Sequence, residues 1–535
     1  MYKLDRRRFL KLLGQGTAVL SLGGLSGKAW AAQFGRPPRE QKPEDPMHPD
    51  WSNWEFYYPN EYDLEDTKIL NAFQAELAEI NNKGNVNIDD LISGKQEGKP
   101  GIGRSSKITA QGVETTSKLY GGKNPMWLDS KHAKRSKWKG MVIPFASGVG
   151  GSMPAMPKSE GIGDYMVVSH YNISISYYKP VYVGDTIYSV IENEHSIDIT
   201  PPQGSYYRTF TMSGHAKNYN QKGELVGEGA NIVTESFRRH KDPAKRNPSK
   251  AHAWESPNWW SRPYHMYTDE DWEEIISIWK NEKIRGSKTL YWDNVNIGDE
   301  PPPMAIGPIV SEVEIDMLGL GIDVPQWSID TKLNVLDKKT FAKMVKNKQG
   351  IYVFPEHLEK MPAPTMPMGG MEMPEGGEMP EREMVEPTPE LANRDGRAVL
   401  MNAVAARWAG AMIMNWMGDD GWLQRIGWDF MEIPPAPGVS ESVSYDKHPT
   451  IIPPIPDYMM PDLFDKRPYL EKVPYMRGCC PAWHPMENDL IICKAYVTDK
   501  YRQGEEYFVD LTWWCETLDK YLVEEGFASV KLPKK

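Results

Sequence analysis

The stretch that decides the fold is residues 398–417, AVLMNAVAARWAGAMIMNWM, which holds a single charged residue, Arg407. Apolar side chains occupy almost every turn, so the pattern predicts a long helix that is buried on most of its faces. The tetrapeptide Gly418-Asp419-Asp420-Gly421 follows directly. We expect Asp419 and Asp420 to end this helix or to hold a turn, and a catalytic role is the alternative.

Three strand-like segments follow this helix and close the chain: Leu490–Thr498, Tyr507–Cys515 and Phe527–Leu532. A turn centred on Gly504 pairs the first two in antiparallel fashion and sets Cys493 opposite Cys515. These two cysteines form either a cross-strand disulfide, in an oxidising compartment, or a pair of buried thiols. The four cysteines contain no Cys-x-x-Cys motif, which argues against a zinc site.

An earlier part of the chain repeats this plan. Its strand-like segments are Val167–Tyr178, Thr186–Glu192, Tyr206–Ala216 and Leu225–Phe237, with a hairpin turn predicted at Asn220-Gln221-Lys222-Gly223. The sequence Leu225-Val226-Gly227-Glu228-Gly229 matches Leu522-Val523-Glu524-Glu525-Gly526, and each lies at the end of its half. We therefore predict a duplicated α+β unit, each copy a helix followed by an antiparallel sheet.

Composition excludes several classes of protein. The 535 residues carry 62 Lys and Arg against 73 Asp and Glu, a net charge of −11, which argues against a nucleic-acid-binding protein. Aromatic residues make up 11% of the chain, enough for a hydrophobic core. Apart from the predicted buried helix at 398–417, the one long apolar run is at the N-terminus, so no membrane span is expected once that segment is removed.

The N-terminal segment has the pattern of an export signal. The sequence Asp5-Arg6-Arg7-Arg8-Phe9-Leu10-Lys11 precedes a glycine-rich apolar stretch that ends at Leu25, and together they resemble a twin-arginine signal. Ala29-Trp30-Ala31 supplies small residues for a signal peptidase, which predicts cleavage after Ala31 and a periplasmic protein that crosses the membrane already folded. The alternative is a basic, apolar helix of the mature fold.

Four motifs occur in the order found in one known family. They are Asn124-Pro125-Met126-Trp127-Leu128-Asp129 with Ala133 and Trp138, Lys179-Pro180-Val181-Tyr182-Val183-Gly184-Asp185-Thr186, Arg285-Gly286 through Tyr291-Trp292-Asp293 to Gly298-Asp299-Glu300, and Asn415-Trp416-Met417-Gly418-Asp419-Asp420-Gly421. This order resembles that of the MaoC-like hydroxyacyl dehydratases. The resemblance implies an α+β fold of two tandem hotdog domains, each a long central helix wrapped by a curved antiparallel sheet, that pack as a pseudo-dimer.

The predicted organisation has five parts. They are a signal peptide (1–31), an N-terminal arm and helix (32–104), hotdog domain 1 (105–240), a linker with an amphipathic helix (241–289), and hotdog domain 2 (290–535) with a Met-, Pro- and Glu-rich insertion (355–392). In the linker, Thr268 and Asp271 form a predicted capping box, and Trp272, Ile275 and Trp279 form one apolar helix face.

The resemblance also implies an acid–base dyad, for which the family pattern is Gly-Asp-x-Asn-Pro-x-His. The chain has Gly122 at the Asp position and Trp127 at the His position, so the first half carries no dyad there. In the second half, Asp395 is the candidate carboxylate. His170, at the start of a strand, is a further catalytic candidate. We assign ligand contact to Asn124, Trp127, Asp129 and Trp416, and backbone bonding within the loop is the alternative for Asn124 and Asp129.

These features leave three hypotheses for function. The first is an exported hydratase or dehydratase that acts without a cofactor on an apolar hydroxy- or enoyl-type substrate other than a coenzyme A thioester. The second is a non-catalytic hotdog that binds a small ligand or serves as the partner subunit of an exported complex.

The third hypothesis concerns methionines in the insertion. Met366, Met368, Met371 and Met373 lie close together, and thioethers are soft ligands that suit Cu(I). A lid or partner-docking role for the insertion is the alternative, and we predict no other metal site.

Overall fold

The structure is a computed structural model. It describes residues 63–82, 87–95, 103–119, 124–143, 165–198, 208–239, 241, 265–309, 327–355, 402–428, 488–519 and 522–535. All of these residues belong to one compact unit, Glu44–Lys535.

The helices and strands of the first half begin with two peripheral helices and continue into an antiparallel sheet. They are α1 (Leu64–Asn82), α2 (Ile88–Ile92), β1 (Gly103–Lys107), α3 (Ala110–Leu119), α4 (Pro125–Leu128), α5 (Ser130–Arg135), β2 (Tyr165–Tyr177), β3 (Thr186–Asp198), β4 (Arg208–Tyr219) and β5 (Leu225–Arg239).

The second half adds a helical layer and a second group of strands. Its elements are α6 (Asp269–Asn281), β6 (Met304–Ile306), α7 (Trp327–Leu336), α8 (Lys338–Phe341), β7 (Val345–Lys346), β8 (Tyr352–Val353), α9 (Asn402–Met417), β9 (Trp422–Trp428), β10 (Ile491–Gln503), β11 (Glu506–Thr517) and β12 (Leu522–Lys531).

One ten-stranded sheet contains both halves, and its strand order reveals the duplication. The order is β1-β3-β4-β5-β2-β9-β12-β11-β10-β6. Read inward from each edge, the two halves have the same sequence of strands, so that β1 corresponds to β6, β2 to β9 and β5 to β12. The predicted repeat is confirmed, because Leu225 begins β5 and Leu522 begins β12. This topology is the α+β double-hotdog arrangement that the motifs imply.

The halves join where β2 and β9 pair antiparallel, from Ile173 opposite Trp428 to Ser176 opposite Arg425. Arg425 Nε donates to Ser176 Oγ at 2.9 Å across this seam. A single core of buried side chains continues from the first half into the second, for example from Trp127 to Trp408 and Trp513. The two halves are therefore parts of one packed body.

The long helix predicted in the second half is present as α9. Ala406, Ala409 and Ala411 on this helix are fully buried, and their small side chains let the sheet of β10, β11 and β12 approach closely. In the first half, the described connection between β1 and β2 holds helices of 10, 4 and 6 residues instead of one long helix. Residues 144–164 of that connection lie outside the described residues.

Local signals in the sequence match the structure closely. Asn220 Oδ1 accepts from the amides of Lys222 and Glu224 and closes the predicted hairpin between β4 and β5.

Cys493 lies opposite Cys515, as predicted. The two sulfurs are 3.3 Å apart, in hydrogen-bond contact and not covalently bonded. A disulfide between them stays a prediction.

The amphipathic helix of the linker also forms as predicted. Thr268 and Asp271 exchange the two hydrogen bonds of a capping box at the start of α6, and Trp272, Ile275 and Trp279 are buried. No helix in the described part of the chain is both long enough and apolar enough to cross a membrane.

Candidate functional site

A pocket opens at the seam between the two halves. Its empty space is about 630 Å³, and part of that space is open to solvent. Its walls come from α4, β2 and the segments around them in the first half, and from the end of α9 and the start of β9 in the second. Most lining side chains are apolar: Met126, Trp127, Trp138, Val142, Ile143, Tyr177, Val181, Met414, Met417, Trp422 and Leu423.

Two short capped helices shape the first-half wall. Asn124 Oδ1 accepts from the amide of Met126 and caps α4, where Pro125 supplies a pre-formed first turn. Asp129 ends α4 and caps α5 by accepting from the amides of Lys131 and His132. These caps keep both helices short and fix the direction in which α5 presents His132.

The second-half wall depends on the way α9 ends. Gly418 adopts a φ of 74°, the left-handed conformation that commonly ends helices and that glycine adopts without strain. The next residue, Asp419, turns back toward the first half. Its amide donates to the carbonyl of Gly286 at 2.9 Å, and its carbonyl accepts from Trp138 Nε1 at 2.7 Å.

His132 and Asp419 form a partly buried pair, and Asp419 is the member that lines the pocket. Nε2 of His132 lies 2.7 Å from Oδ2 of Asp419, a distance that makes a hydrogen bond when Nε2 carries the proton. The Asp419 side chain is 3% exposed and that of His132 is 18% exposed. The second oxygen of Asp419, Oδ1, is buried and has no hydrogen-bond partner in the described structure. Asp419 is a lining residue of the pocket, so this site combines an apolar cavity with a carboxylate that has unused acceptor capacity.

Three other polar groups of the pocket wall have partners. Asn124 Nδ2 donates to Asn415 Oδ1 at 3.2 Å, and Trp422 Nε1 donates to the Tyr177 carbonyl at 2.9 Å. The ammonium of Lys179 lies 2.8 Å from Glu224. Polar recognition therefore centres on Asp419.

Tyr178 follows the lining residue Tyr177. Burial and, next, a hydrogen bond to Glu228 raise the pKa of Tyr178 to about 12, so this hydroxyl is neutral at physiological pH.

The predicted ligand-contact residues divide into two groups. Asn124 and Trp127 line the pocket. Asp129 is exposed and serves as the cap of α5, which is the backbone-bonding alternative. Trp416 is buried in the core and is not among the residues that line this pocket, and its contact with a ligand stays a prediction.

The remaining predicted residues lie elsewhere. Asp395 and the methionines Met366, Met368, Met371 and Met373 fall outside the described residues. His170 lies in β2 opposite Thr234. The described residues contain no group of three or more His, Cys, Asp or Glu side chains that could hold a metal ion.

Sequence reasoning missed His132 as a functional residue. The family pattern places its histidine at the position of Trp127, and His132 lies outside that pattern. Its partner Asp419 is 287 residues away, so no local spacing connects the two. The available signal was that His132 lies beside a motif of the first half and Asp419 lies within a motif of the second half of a predicted pseudo-dimer.

Comparisons with known proteins give a distant likeness. No protein-family model and no curated protein matches the chain. Among solved structures, a MaoC-like dehydratase aligns with 82% of this chain and 98% of its own at 11% identity and a TM-score of 0.36. A double-hotdog protein of Mycobacterium tuberculosis covers 84% of this chain and 98% of its own, at 8% identity and a TM-score of 0.34.

A MaoC-like dehydratase of Phytophthora capsici covers 84% of this chain and 100% of its own, at 8% identity and a TM-score of 0.33. At these TM-scores the likeness assigns neither a family nor an activity, and the fold rests on the strand order.

Proposed function

We propose that the protein is a hydratase or dehydratase for an apolar hydroxy- or enoyl-type substrate, with Asp419 as the acid–base residue and His132 as its positioning partner. One observation carries this proposal: the buried Asp419 carboxylate lines an apolar pocket, binds His132 through one oxygen and leaves the other unpaired. A hydroxyl group is the donor that an enoyl hydration or hydroxyl elimination brings to such an acceptor.

The proposed reaction needs one proton carrier near the reacting carbons. In hydration, the Asp419 carboxylate removes a proton from water while the water oxygen bonds to the β-carbon of the enoyl group. The proton then passes to the α-carbon, so that water has added across the double bond. Elimination runs the same steps in reverse. His132 holds the carboxylate through Oδ2.

The charges of the pocket indicate a neutral substrate. Asp419 contributes a buried negative charge, and the one lysine among the described lining residues, Lys179, is already paired with Glu224. A phosphate-bearing thioester would therefore find no unpaired lysine or arginine on this wall. This supports a small apolar alcohol or enone as substrate and argues against a coenzyme A thioester.

A ligand-binding protein without turnover is the second candidate. It is favoured by Gly122 and Trp127, which occupy the two positions of the family's dyad. In that case Asp419 accepts a hydrogen bond from the bound ligand and performs no proton transfer.

An assay with matched variants distinguishes the two. Wild type, Asp419→Asn and His132→Gln are incubated with a panel of medium-chain 3-hydroxy ketones and the corresponding enones, and both directions are followed by chromatography. Asp420→Asn is the control. The Asp420 carboxylate is next to Asp419 in the chain, but it accepts a hydrogen bond from Thr289 and does not line the pocket. We expect wild type and Asp420→Asn to turn over a panel member and Asp419→Asn to lose at least 100-fold.

Turnover that is equal in wild type and Asp419→Asn would contradict the proposed role of Asp419. Binding of a panel member by wild type without any turnover would favour the ligand-binding function.

We propose in addition that the protein is exported, on the basis of the N-terminal sequence alone. Mass spectrometry of protein from its own host should find a mature N-terminus at Ala32. Replacement of Arg6, Arg7 and Arg8 by lysine should keep the precursor uncleaved. A wild-type protein with an intact N-terminus would contradict the proposal.

A further inference from the structure

The segment that precedes the second half packs against the end of α9. The amide of Arg285 donates to the carbonyl of Asn415 at 3.0 Å, and Arg285 Nε donates to the carbonyl of Trp416 at 2.6 Å. These two carbonyls belong to the last turn of the helix, where no further turn supplies donors. Arg285 therefore caps α9 from outside the helix, and its cation lies at the end where the helix dipole is negative.

The same segment holds the residue that follows the helix. The carbonyl of Gly286 accepts from the amide of Asp419 at 2.9 Å. Arg285 and Gly286 thus bind three residues at the end of the helix and in the turn that follows: Asn415, Trp416 and Asp419. We name this pair of residues the clamp.

Close packing at Gly418 makes the clamp sensitive to small changes. A Cβ atom added at Gly418 would lie 2.9 Å from Cδ of Arg285 and 3.1 Å from the carbonyl oxygen of Gly286. The turn therefore fits the clamp only because residue 418 lacks a side chain. Gly418 and Arg285 occupy adjoining space, and a shift of either moves Asp419.

We infer that Arg285 is a positioning residue for the candidate site: its contacts with the end of α9 set the place of the Asp419 carboxylate opposite His132. The inference rests on the proposed function, because it takes the His132–Asp419 pair as the pair that performs the reaction. It also assigns a role to Arg285-Gly286, a motif that sequence analysis singled out without a role.

A spectroscopic test follows the pair directly and needs no substrate. The full-length protein is labelled with ¹⁵N-histidine, and the His132 ring signals are assigned by their absence in His132→Gln. Asp419→Asn defines the position of the His132 Nε2 signal when the carboxylate partner is lost. Arg285→Gln is the test variant. Arg425→Gln is the control, because Arg425 also donates an Nε hydrogen bond to a neighbouring element, but its acceptor is Ser176 of β2 and not the turn after α9.

The inference predicts that Arg285→Gln moves the His132 Nε2 signal toward its position in Asp419→Asn, whereas Arg425→Gln leaves it at the wild-type position. A wild-type signal in folded Arg285→Gln, with a shifted signal in Asp419→Asn, would overturn the role of Arg285 and leave the pair intact. An unshifted signal in Asp419→Asn would instead overturn the pair on which the proposed function depends.

A second variant covers the case in which Arg285→Gln does not fold. Gly418→Ala places a methyl group against the Arg285 side chain and should move the His132 signal in the same direction. A folded Gly418→Ala protein with the wild-type His132 signal would count against the clamp.

Discussion

Asp419 differs from the other buried polar residues at the seam because only one of its carboxylate oxygens is used. Oδ2 meets His132, and Oδ1 is buried without a partner in the described structure. A buried acceptor left unpaired costs about 1–3 kcal/mol. Proteins keep destabilising polar groups of this kind at sites where function requires them. Asp419 combines this cost with a place in the lining of the pocket.

The free-energy cost of the unpaired oxygen of Asp419 predicts that a variant without the charge loses activity and does not lose stability. Asp419→Asn removes a buried charge and keeps an oxygen that can accept from His132. We expect the free energy of unfolding to stay the same or to rise by about 1 kcal/mol, while activity is lost. Urea unfolding of wild type and variant measures the difference. A loss above about 2 kcal/mol would instead indicate that the pair is mainly structural.

Gly418 gives a second prediction at the residue scale. Its φ of 74° and its contact with Arg285 leave no room for a side chain. Gly418→Ala should lower the free energy of unfolding by about 1–3 kcal/mol. The control is Gly504→Ala, which shares a positive φ but has open space around its Cβ position. An equal loss in both variants would show that backbone strain alone, and not the clamp, sets the cost.

At the scale of single helices and turns, the features that were predicted correctly are those that depend on residues close together in the sequence. The capping box of Thr268 and Asp271, the hairpin at Asn220 and the apolar pattern of α9 are all local, and each one formed. The candidate site was not predictable in this way. Its histidine lies on α5 and its carboxylate follows α9, and they meet only because the two halves pack together. An apolar helix pattern also does not reveal which face of α9 meets the pocket, so the sequence could not assign its lining residues Met414 and Met417.

The start of α6 gives a prediction for pH. His265 lies between Asp519, 2.9 Å from Nδ1, and Asp271, 3.1 Å from Nε2. The hydrogen bond to Asp519 is the main cause that raises the pKa of His265, although burial opposes it. Because the folded-state pKa is raised, the stabilisation is complete below about pH 6.5, the unfolded value, and is lost as pH rises through the folded value.

The stability difference between wild type and His265→Gln should therefore be larger at pH 6 than at pH 9. Thermal unfolding at both pH values, in the same salt, measures it. A difference that is constant or grows with pH would contradict the assignment of a charged His265 between the two carboxylates.

At the scale of the whole molecule, the two halves share one sheet and one core. The β2–β9 seam and the pocket both require the halves to be docked, and core side chains from each half are in contact. We expect urea unfolding followed by circular dichroism and by tryptophan fluorescence to give one coincident transition. Gly427→Pro, within β9 between β2 and β12, should weaken both halves together. Two separated transitions would show that each half is stable alone.

The most direct test of the account is a crystal structure of the wild-type protein with 1-octanol, an apolar chain that carries one hydroxyl donor. The account predicts that the alkyl chain lies against Trp127 and Met414 and that the hydroxyl oxygen lies about 2.6–3.2 Å from Asp419. His132 should remain bonded to the other carboxylate oxygen. An alcohol whose hydroxyl points away from Asp419, or an Asp419 with both oxygens bonded to protein groups, would contradict the central claim.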